Sequence, residues 1–175
     1  MSFRILFILT VSSLSIIGGI NATWHILPVN PVMNYDCDQI SGTKWCGSGN
    51  IAENYEDLGL AEETDKCCRD HDLCSDVIEA GETKHNLTNE AFYSRLSCKC
   101  DETFRQCLNK DGSETSTTIG LMYFNLIGTQ CFREDYNATR CKQYGGWLNT
   151  KCVEYEYDTN SMKLYQWFDV PNYNN

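Results

Sequence analysis

The stretch Cys67-Cys68-Arg69-Asp70-His71-Asp72-Leu73-Cys74 places a histidine and a carboxylate side by side within a frame of cysteines. On a helix, residues four before and three after His71 lie on its own face, so Cys67, His71 and Cys74 project together. Cross-linking of both cysteines would hold the imidazole in one place. The stretch therefore predicts a hydrolytic site on a disulfide-linked helix.

A second segment, Cys98-Lys99-Cys100-Asp101-Glu102-Thr103-Phe104-Arg105-Gln106-Cys107, repeats the seven-residue cysteine spacing. Seven residues advance a helix by about 10.5 Å, so two such helices can bond rung to rung if they are antiparallel. Spacing alone leaves the connectivity open. In the antiparallel arrangement Asp101 approaches His71, and a carboxylate beside an imidazole fixes its tautomer and favours a general base.

The beginning of the chain is typical of a secretion signal. Arg4 precedes an apolar run over residues 5–20, and we expect a signal peptide over residues 1–19, give or take about four residues. The run is too short and too early for a membrane-spanning helix. The 11 cysteines favour an oxidising compartment, and sequons at Asn86 and Asn137 predict N-glycosylation. The sequence therefore predicts a secreted, soluble glycoprotein.

Periodicity and turn residues predict the remaining elements. About 155 residues remain after cleavage, which fits one domain. The apolar run over residues 119–127 has an ambiguous period. The expected elements are a loop over 44–60, a helix from Thr64 to about Ala80 closed by Gly81, a helix from Thr88 to about Lys110 before Asp111-Gly112, and a hairpin of strands 153–157 and 163–168.

Three further motifs join the two cysteine segments: Trp45-Cys46-Gly47-Ser48-Gly49, Met122-Tyr123-Phe124-Asn125 and Tyr165-Gln166-Trp167-Phe168-Asp169. Together the motifs resemble the secreted phospholipases A2, and most closely the group III branch typified by the bee venom enzyme. The resemblance implies one such domain over residues 44–175 and a mainly α, disulfide-rich fold. Its expected parts are two antiparallel disulfide-linked helices carrying the active site, a third helix over 119–127, a calcium loop and a small C-terminal β-hairpin.

The resemblance implies calcium-dependent hydrolysis of the sn-2 ester of glycerophospholipids, which gives a fatty acid and a lysophospholipid. The calcium ligands would be the backbone carbonyls of Trp45, Gly47 and Gly49 and the carboxylate of Asp72. The amide of Gly47 would contribute to the oxyanion hole. Oxygen-ligated calcium can stabilise an oxyanion, and glycines at alternate positions let a loop turn its carbonyls toward one centre.

The resemblance also implies a catalytic pair in which Asp101 orients His71, with Tyr123 donating a hydrogen bond to Asp101. The chemistry of these side chains agrees with that role. Neutral imidazole, with a reference pKa of about 6.5, can accept a proton from water at physiological pH. We therefore expect His71 to act as the general base.

The disulfide pairing is likewise an implication of the resemblance. Cys37 is left over, in a segment over residues 20–43 that has no counterpart and is either an ordered arm or a leader to be removed. An odd cysteine in a secreted chain is either intermolecular or a free thiol, and we expect a bond to a second chain or to a small thiol. The implied pairs are Cys46 with Cys68, Cys67 with Cys107, Cys74 with Cys100, Cys98 with Cys131, and Cys141 with Cys152.

Several other readings of these residues are weaker. A zinc site is disfavoured because secretion favours disulfides and because adjacent Cys67 and Cys68 lack the usual gap between zinc ligands. His25 and His85 are expected to be structural or solvent-facing, since they lie in no catalytic motif. A binding protein or toxin that keeps the fold without catalysis would be marked by loss of His71 or Asp72. Both residues are present, so such a role remains only as an additional one. A purely structural disulfide module would leave the calcium loop unexplained.

The charge of the chain constrains its partners. The formal net charge is −10, and loss of Arg4 with the signal peptide would make it −11. Such a chain repels nucleic-acid backbones and lacks the basic excess that draws proteins to anionic membranes. We therefore expect peripheral binding to a zwitterionic phospholipid membrane or micelle through aromatic and apolar side chains, which favour the headgroup zone.

Overall fold

The computed structural model describes residues 40–146 and 148–173. The predicted signal peptide, His25 and Cys37 lie outside these residues. The described helices are α1 (Glu62–Asp72), α2 (Cys98–Asp111) and α3 (Glu114–Gly120), and α3 continues directly into a π-helix (Leu121–Ile127). Within the described ranges, no helix is both long and apolar enough to cross a membrane.

The described residues contain four antiparallel sheets of two strands each. Two sheets are short: β1 (Val77–Ile78) pairs with β4 (Arg95–Leu96), and β2 (Thr83–Lys84) pairs with β3 (Leu87–Thr88). The longer sheets pair β5 (Gln130–Asp135) with β8 (Leu164–Asp169), and β6 (Asn137–Gly145) with β7 (Lys151–Asp158).

The first two helices are shorter than the sequence predicts. The first ends at Asp72 rather than near Ala80, because residues 77–78 pair as β1 with β4. The second begins at Cys98 rather than after Thr88, and the Ser97 side chain caps it by accepting a hydrogen bond from the backbone of Cys100. The predicted end before Gly112 is confirmed. Here, pairing between strands that are far apart in the sequence outweighs the local tendency to form a helix.

The stretch between the two helices contains a tight hairpin that the sequence reading missed. Its turn residues, His85 and Asn86, have φ values of 55° and 60°. Positive φ at both central residues is the geometry of a type I′ turn, which matches the twist of the two flanking strands. The third helix also differs, because it begins at Glu114 and only its second half, the π-helix, covers the predicted run.

The predicted C-terminal hairpin is wrong in its pairing. Both strands exist, as β7 and β8, but they pair with β6 and β5 and not with each other. A disulfide between Cys141 and Cys152 fixes β7 to β6. The prediction of a mainly α fold is also wrong, because the described strands contain about as many residues as the helices. The fold is disulfide-rich, with three helical segments and small antiparallel sheets.

Five disulfides cross-link the described part of the chain, and they are the five pairs that the resemblance implies. Two of them join the same two helical regions at opposite ends, so α1 and α2 run antiparallel. Each native disulfide of a small secreted domain typically contributes about 2–4 kcal/mol. The pairs are Cys46–Cys68, Cys67–Cys107, Cys74–Cys100, Cys98–Cys131 and Cys141–Cys152.

The hydrophobic core lies between α2, the π-helix and the chain after β8. Phe104 and Leu108 of α2 pack in the same buried cluster as Phe124 and Tyr173. The ring of Tyr173 lies directly over Gly120, where an added Cβ would be 2.3 Å from a ring carbon. Only a glycine at this position lets Tyr173 support the π-helix so closely.

Candidate active site

The centre of the site is a contact between a histidine of α1 and an aspartate of α2. Nε2 of His71 lies 2.8 Å from Oδ1 of Asp101. The Asp101 side chain is 1% exposed and the His71 side chain 9%. The disulfides Cys67–Cys107 and Cys74–Cys100 cross-link the two helical regions on either side of this contact. The imidazole and the carboxylate are therefore held together by covalent links as well as by packing.

Two aromatic residues complete the surroundings of the imidazole. The ring of Phe104 stacks on the ring of His71 with centroids 4.3 Å apart and an interplanar angle of 19°. Tyr123 meets the same ring edge-on at 5.1 Å. The Tyr123 hydroxyl donates a hydrogen bond of 2.9 Å to Oδ1 of Asp101. One carboxylate oxygen thus receives both the imidazole and the phenol.

Electrostatics keep Tyr123 in its neutral form. Burial, the nearby charge of Asp101 and the hydrogen bond to it raise the pKa of Tyr123 well above its ordinary value of 10.0. The hydroxyl is therefore protonated and able to donate a hydrogen bond at neutral pH. The second oxygen of Asp101, Oδ2, is buried without a hydrogen-bond partner among the described residues.

The loop before α1 reaches the other end of the same helix. The described residues 44–60 contain no helix, in agreement with the predicted loop. Gly47 and Gly49 lie in an exposed part of it, and Gly49 has φ +112°, a value that favours glycine. The side chain of Asn50 forms a hydrogen bond with the Asp72 carboxyl. The glycine-containing part of the loop therefore adjoins Asp72.

These residues fit a calcium ion by the chemistry of their donor groups. Asp72 is solvent-accessible, yet partial burial of its carboxyl raises the pKa, while nearby His71 and the Asn50 hydrogen bond lower it. Among the described residues, no three His, Cys, Asp or Glu side chains cluster so that they could hold a metal ion together. A cation beside Asp72 would thus take most of its ligands from backbone carbonyls, and hard oxygen ligands are those that calcium prefers.

A cavity of about 490 Å³ borders His71. Its lining includes His71 and Phe104 together with Phe132 of β5 and Tyr165 of β8. It does not reach Asp72 or the glycine-containing loop. The cavity therefore opens on the side of the imidazole that faces the β5–β8 sheet.

Comparisons with known proteins identify relatives of this chain. A family model described as phospholipase A2 matches residues 39–135. A phospholipase A2 of Bombus pensylvanicus is 54% identical over 133 residues, which cover 75% of this chain and 97% of that protein. One from Apis mellifera is 46% identical over 133 residues, covering 75% of this chain and 78% of the relative. A phospholipase A2 large subunit of Chersonesometrus fulvipes is 53% identical over 96 residues, covering 52% and 91%.

The chain belongs to the phospholipase A2 family. The resemblance stated from its motifs is thereby confirmed, and the chain is an enzyme of the carboxylic ester hydrolase class. Within this phospholipase A2 fold, the structure brings together His71, Asp101 and Tyr123. Trp45 lies apart from them, buried at the start of the loop, where its indole nitrogen donates to the carbonyl of Asp57 at 3.0 Å.

Two residues of this phospholipase A2 fold carry roles that the motifs did not indicate. Asp65, fully buried in the first turn of α1, accepts hydrogen bonds from the backbone of the loop. Phe104 supplies the surface on which His71 stacks. An acidic residue in a first helical turn ordinarily indicates only a helix-dipole contact. The position of Phe104 between Cys100 and Cys107 could have indicated its place near His71, but aromatic residues on a helix usually indicate core.

The remaining predicted residues lie away from the catalytic pair. His85 has a structural environment, because it stacks on Tyr165 at 3.9 Å and contacts Asp76 at 3.0 Å. The sequon residues Asn86 and Asn137 are both exposed, in the β2–β3 turn and at the start of β6.

Proposed function

We propose that the chain is a secreted, calcium-dependent phospholipase A2 that hydrolyses the sn-2 ester of glycerophospholipids to a free fatty acid and a lysophospholipid. The observation that carries this proposal is the contact between His71 and Asp101, with Tyr123 on the same carboxylate oxygen. These three side chains suit the activation of a water molecule. None of them is proposed to attack the substrate, so the mechanism has no covalent intermediate.

The catalytic step uses the two nitrogens of His71 differently. Nε2 carries the proton that bonds to Asp101, which leaves the lone pair of Nδ1 to accept a proton from water. The water oxygen attacks the sn-2 carbonyl carbon. The proton held on Nδ1 then passes to the departing glycerol oxygen, and the ester bond breaks. Asp101 stabilises the transient imidazolium, while Tyr123 and Phe104 keep carboxylate and ring in position.

Calcium would be held by the Asp72 carboxylate and by the backbone carbonyls of Trp45, Gly47 and Gly49. When bound, it supplies a positive charge that polarises the ester carbonyl. The Gly47 amide would donate to the developing oxyanion. Support comes from the Asn50 hydrogen bond, which keeps the loop beside Asp72, and from the positive φ of Gly49.

The partner of the enzyme would be a zwitterionic phospholipid surface. The π-helix has no charged residue, and its exposed side chains Leu121, Met122, Leu126 and Ile127 flank the inward-facing Tyr123. Tyr93 acts electrostatically on Tyr123 and adjoins Phe92, which is 90% exposed. Apolar side chains next to the catalytic pair suit the lipid interface better than basic residues do in a chain of net charge −10.

Secretion is supported by the cysteine usage and by the exposure of both sequons. All ten described cysteines are paired in disulfides, a state that persists only in oxidising compartments. Glycans at Asn86 and Asn137 would project from exposed positions. Because these ten cysteines pair among themselves, Cys37 is left to bond outside this set, to a second chain or to a small thiol.

The decisive experiment is release of labelled fatty acid from phosphatidylcholine vesicles. Two substrates that carry the label at either the sn-2 or the sn-1 position would be compared, with calcium and with excess chelator. We expect release only from the sn-2 position and only with calcium. Equal release from both positions, or release that persists in chelator, would reject the proposal.

A further inference from the structure

Asp65 binds both ends of the loop that precedes α1. Its Oδ1 accepts a hydrogen bond from the Trp45 amide at 2.7 Å, and its Oδ2 accepts one from the Gly59 amide at 2.8 Å. The Lys44 amide lies 3.0 Å from both oxygens. The carboxylate is 0% exposed. Both of its oxygens are therefore used by backbone amides that come from residues far apart in the chain.

The loop depends on such external acceptors because it has little regular structure of its own. The disulfide Cys46–Cys68 holds the loop to α1 at one point. Asp65 lies one helical turn before Cys68, so the disulfide and the carboxylate both bind the loop from the same face of α1. Trp45 is bound twice, since its amide donates to Asp65 and its ring nitrogen to the Asp57 carbonyl.

The same helix carries the proposed calcium carboxylate. Asp72 follows Asp65 by seven residues, two turns of α1, which is about 10.5 Å along its axis. The two side chains share a helix face. The negative charge of Asp65 acts on Asp72, whose pKa it helps to raise, although burial is the larger cause. Helix α1 thus fixes the loop at its first turn and offers a ligand at its last.

We propose that Asp65 is a positioning residue that sets the calcium affinity of the enzyme by fixing the loop carbonyls relative to Asp72 before the ion binds. This inference rests on the proposed function. Residues that orient metal ligands without touching the metal typically change metal affinity about 10- to 100-fold when mutated. The catalytic pair makes no contact with Asp65, so the inference concerns calcium binding and not proton transfer.

The first test is calcium titration by calorimetry of the purified, disulfide-bonded Asp65→Asn variant, without substrate. Asparagine keeps the size of the side chain but turns an NH2 group toward an amide that needs an acceptor. We expect calcium affinity to fall about 10- to 100-fold. Turnover at saturating calcium should stay within a few-fold of wild type, because His71 and Asp101 are untouched.

A second variant separates positioning from charge. Asp65→Glu keeps the negative charge but moves the carboxylate by one methylene, so it should also bind calcium more weakly if geometry is what matters. A simple charge effect predicts wild-type affinity for Asp65→Glu. The Asp65→Glu variant can also be measured if Asp65→Asn does not fold.

The matched control is Asp111→Asn. Asp111 accepts hydrogen bonds from Thr64, the neighbour of Asp65, and from Ser113, but it does not contact the loop. Its substitution should leave calcium affinity unchanged. Wild-type calcium affinity in folded Asp65→Glu, or equal losses in Asp65→Asn and Asp111→Asn, would overturn the inference. Neither result would touch the proposed function, which instead fails if the wild type binds no calcium or if Asp72→Asn binds it normally.

Discussion

Nε2 of His71 and Oδ1 of Asp101 lie 2.8 Å apart between two helical regions that disulfides join on both sides of the contact. The backbones that carry the imidazole and the carboxylate therefore cannot separate without distorting a cross-linked frame. A general base gains from this arrangement because its second nitrogen is aimed before substrate arrives. Several measurable consequences depend on this pair and its surroundings.

Replacement of His71 by glutamine should abolish nearly all turnover and leave the fold and calcium binding intact. Loss of a general base alone costs about 10²- to 10⁴-fold in rate. The control is His85→Gln, which removes the other histidine that contacts an aspartate, at 3.0 Å from Asp76. Fatty acid release would be measured for both variants, and near-native turnover by His71→Gln would overturn the assignment of the base.

Replacement of Asp72 by asparagine should abolish calcium-dependent activity. The change removes the only side-chain charge among the proposed ligands, and carboxylate charge largely sets calcium affinity. Calorimetry would measure the calcium affinity of Asp72→Asn, with the neighbouring Asp70→Asn variant as control. Removal of calcium with a chelator should likewise abolish the activity of the wild type. Unchanged calcium affinity in Asp72→Asn would contradict the assigned role.

Replacement of Tyr123 by phenylalanine should weaken activity without abolishing it, because it removes a hydrogen bond to Asp101 but no group that transfers protons. A hydrogen bond to a charged acceptor is worth about 1.5–3 kcal/mol. Since burial keeps the pKa of Tyr123 well above 10, the phenol stays protonated in the wild type. Above the range in which imidazole titrates, from about pH 8 to about pH 9, the activity ratio of wild type to variant should therefore be constant. A ratio that changes across this range would indicate that Tyr123 itself titrates.

The exposed apolar side chains of the π-helix should govern binding to vesicles. Leu126→Asp places a charge on this surface, and loss of one buried leucine at about 1.5–3 kcal/mol should weaken binding about 10- to 100-fold. The control is Met162→Asp, since Met162 is 88% exposed but lies in the turn before β8. Co-sedimentation with phosphatidylcholine vesicles would compare the binding of the two variants. Equal losses in the two variants would argue against a surface centred on the π-helix.

Cys37 should be joined by a disulfide to a second chain or to a small thiol, unless its segment is removed during maturation. The other ten of the 11 cysteines form five pairs, and a free exposed thiol would be oxidised outside the cell. Mass spectrometry of the native protein without reduction would show the bond. Cys37→Ser should keep full activity and change the non-reduced mass. A peptide linking Cys37 to any cysteine from Cys46 to Cys152 would contradict the five pairs.

The sequence allowed the catalytic pair to be predicted because its geometry depends on helix spacing. Cys67 and His71 lie four residues apart and share a face of α1, whereas Cys74 follows the end of that helix at Asp72. The matching cysteine spacing in the second segment still brings Asp101 within reach. The family motifs then supplied Tyr123 and the disulfide pairs. Local periodicity and motif recognition carry this information well.

Other features depend on contacts that no local pattern reveals. Asp65 finds its partners in backbone amides 6 to 21 residues away, and any residue type can offer an amide. Strands β7 and β8 were predicted, but their pairing partners β5 and β6 contain no turn signal that favours one neighbour over another. The first helix was extended past Asp72 because the pairing of β1 with β4 is long-range.

The π-helix that bears Tyr123 rests on Tyr173, whose ring covers Gly120 and whose amide donates to the Asn125 side chain at 2.9 Å. During translation Tyr173 leaves the ribosome after every residue of the catalytic pair and of the calcium loop. The support for Tyr123 therefore arrives last. A nascent chain that already contains His71, Asp101 and Tyr123 lacks this packing, so the order of synthesis delays completion of the proposed active site until the polypeptide has moved past β8.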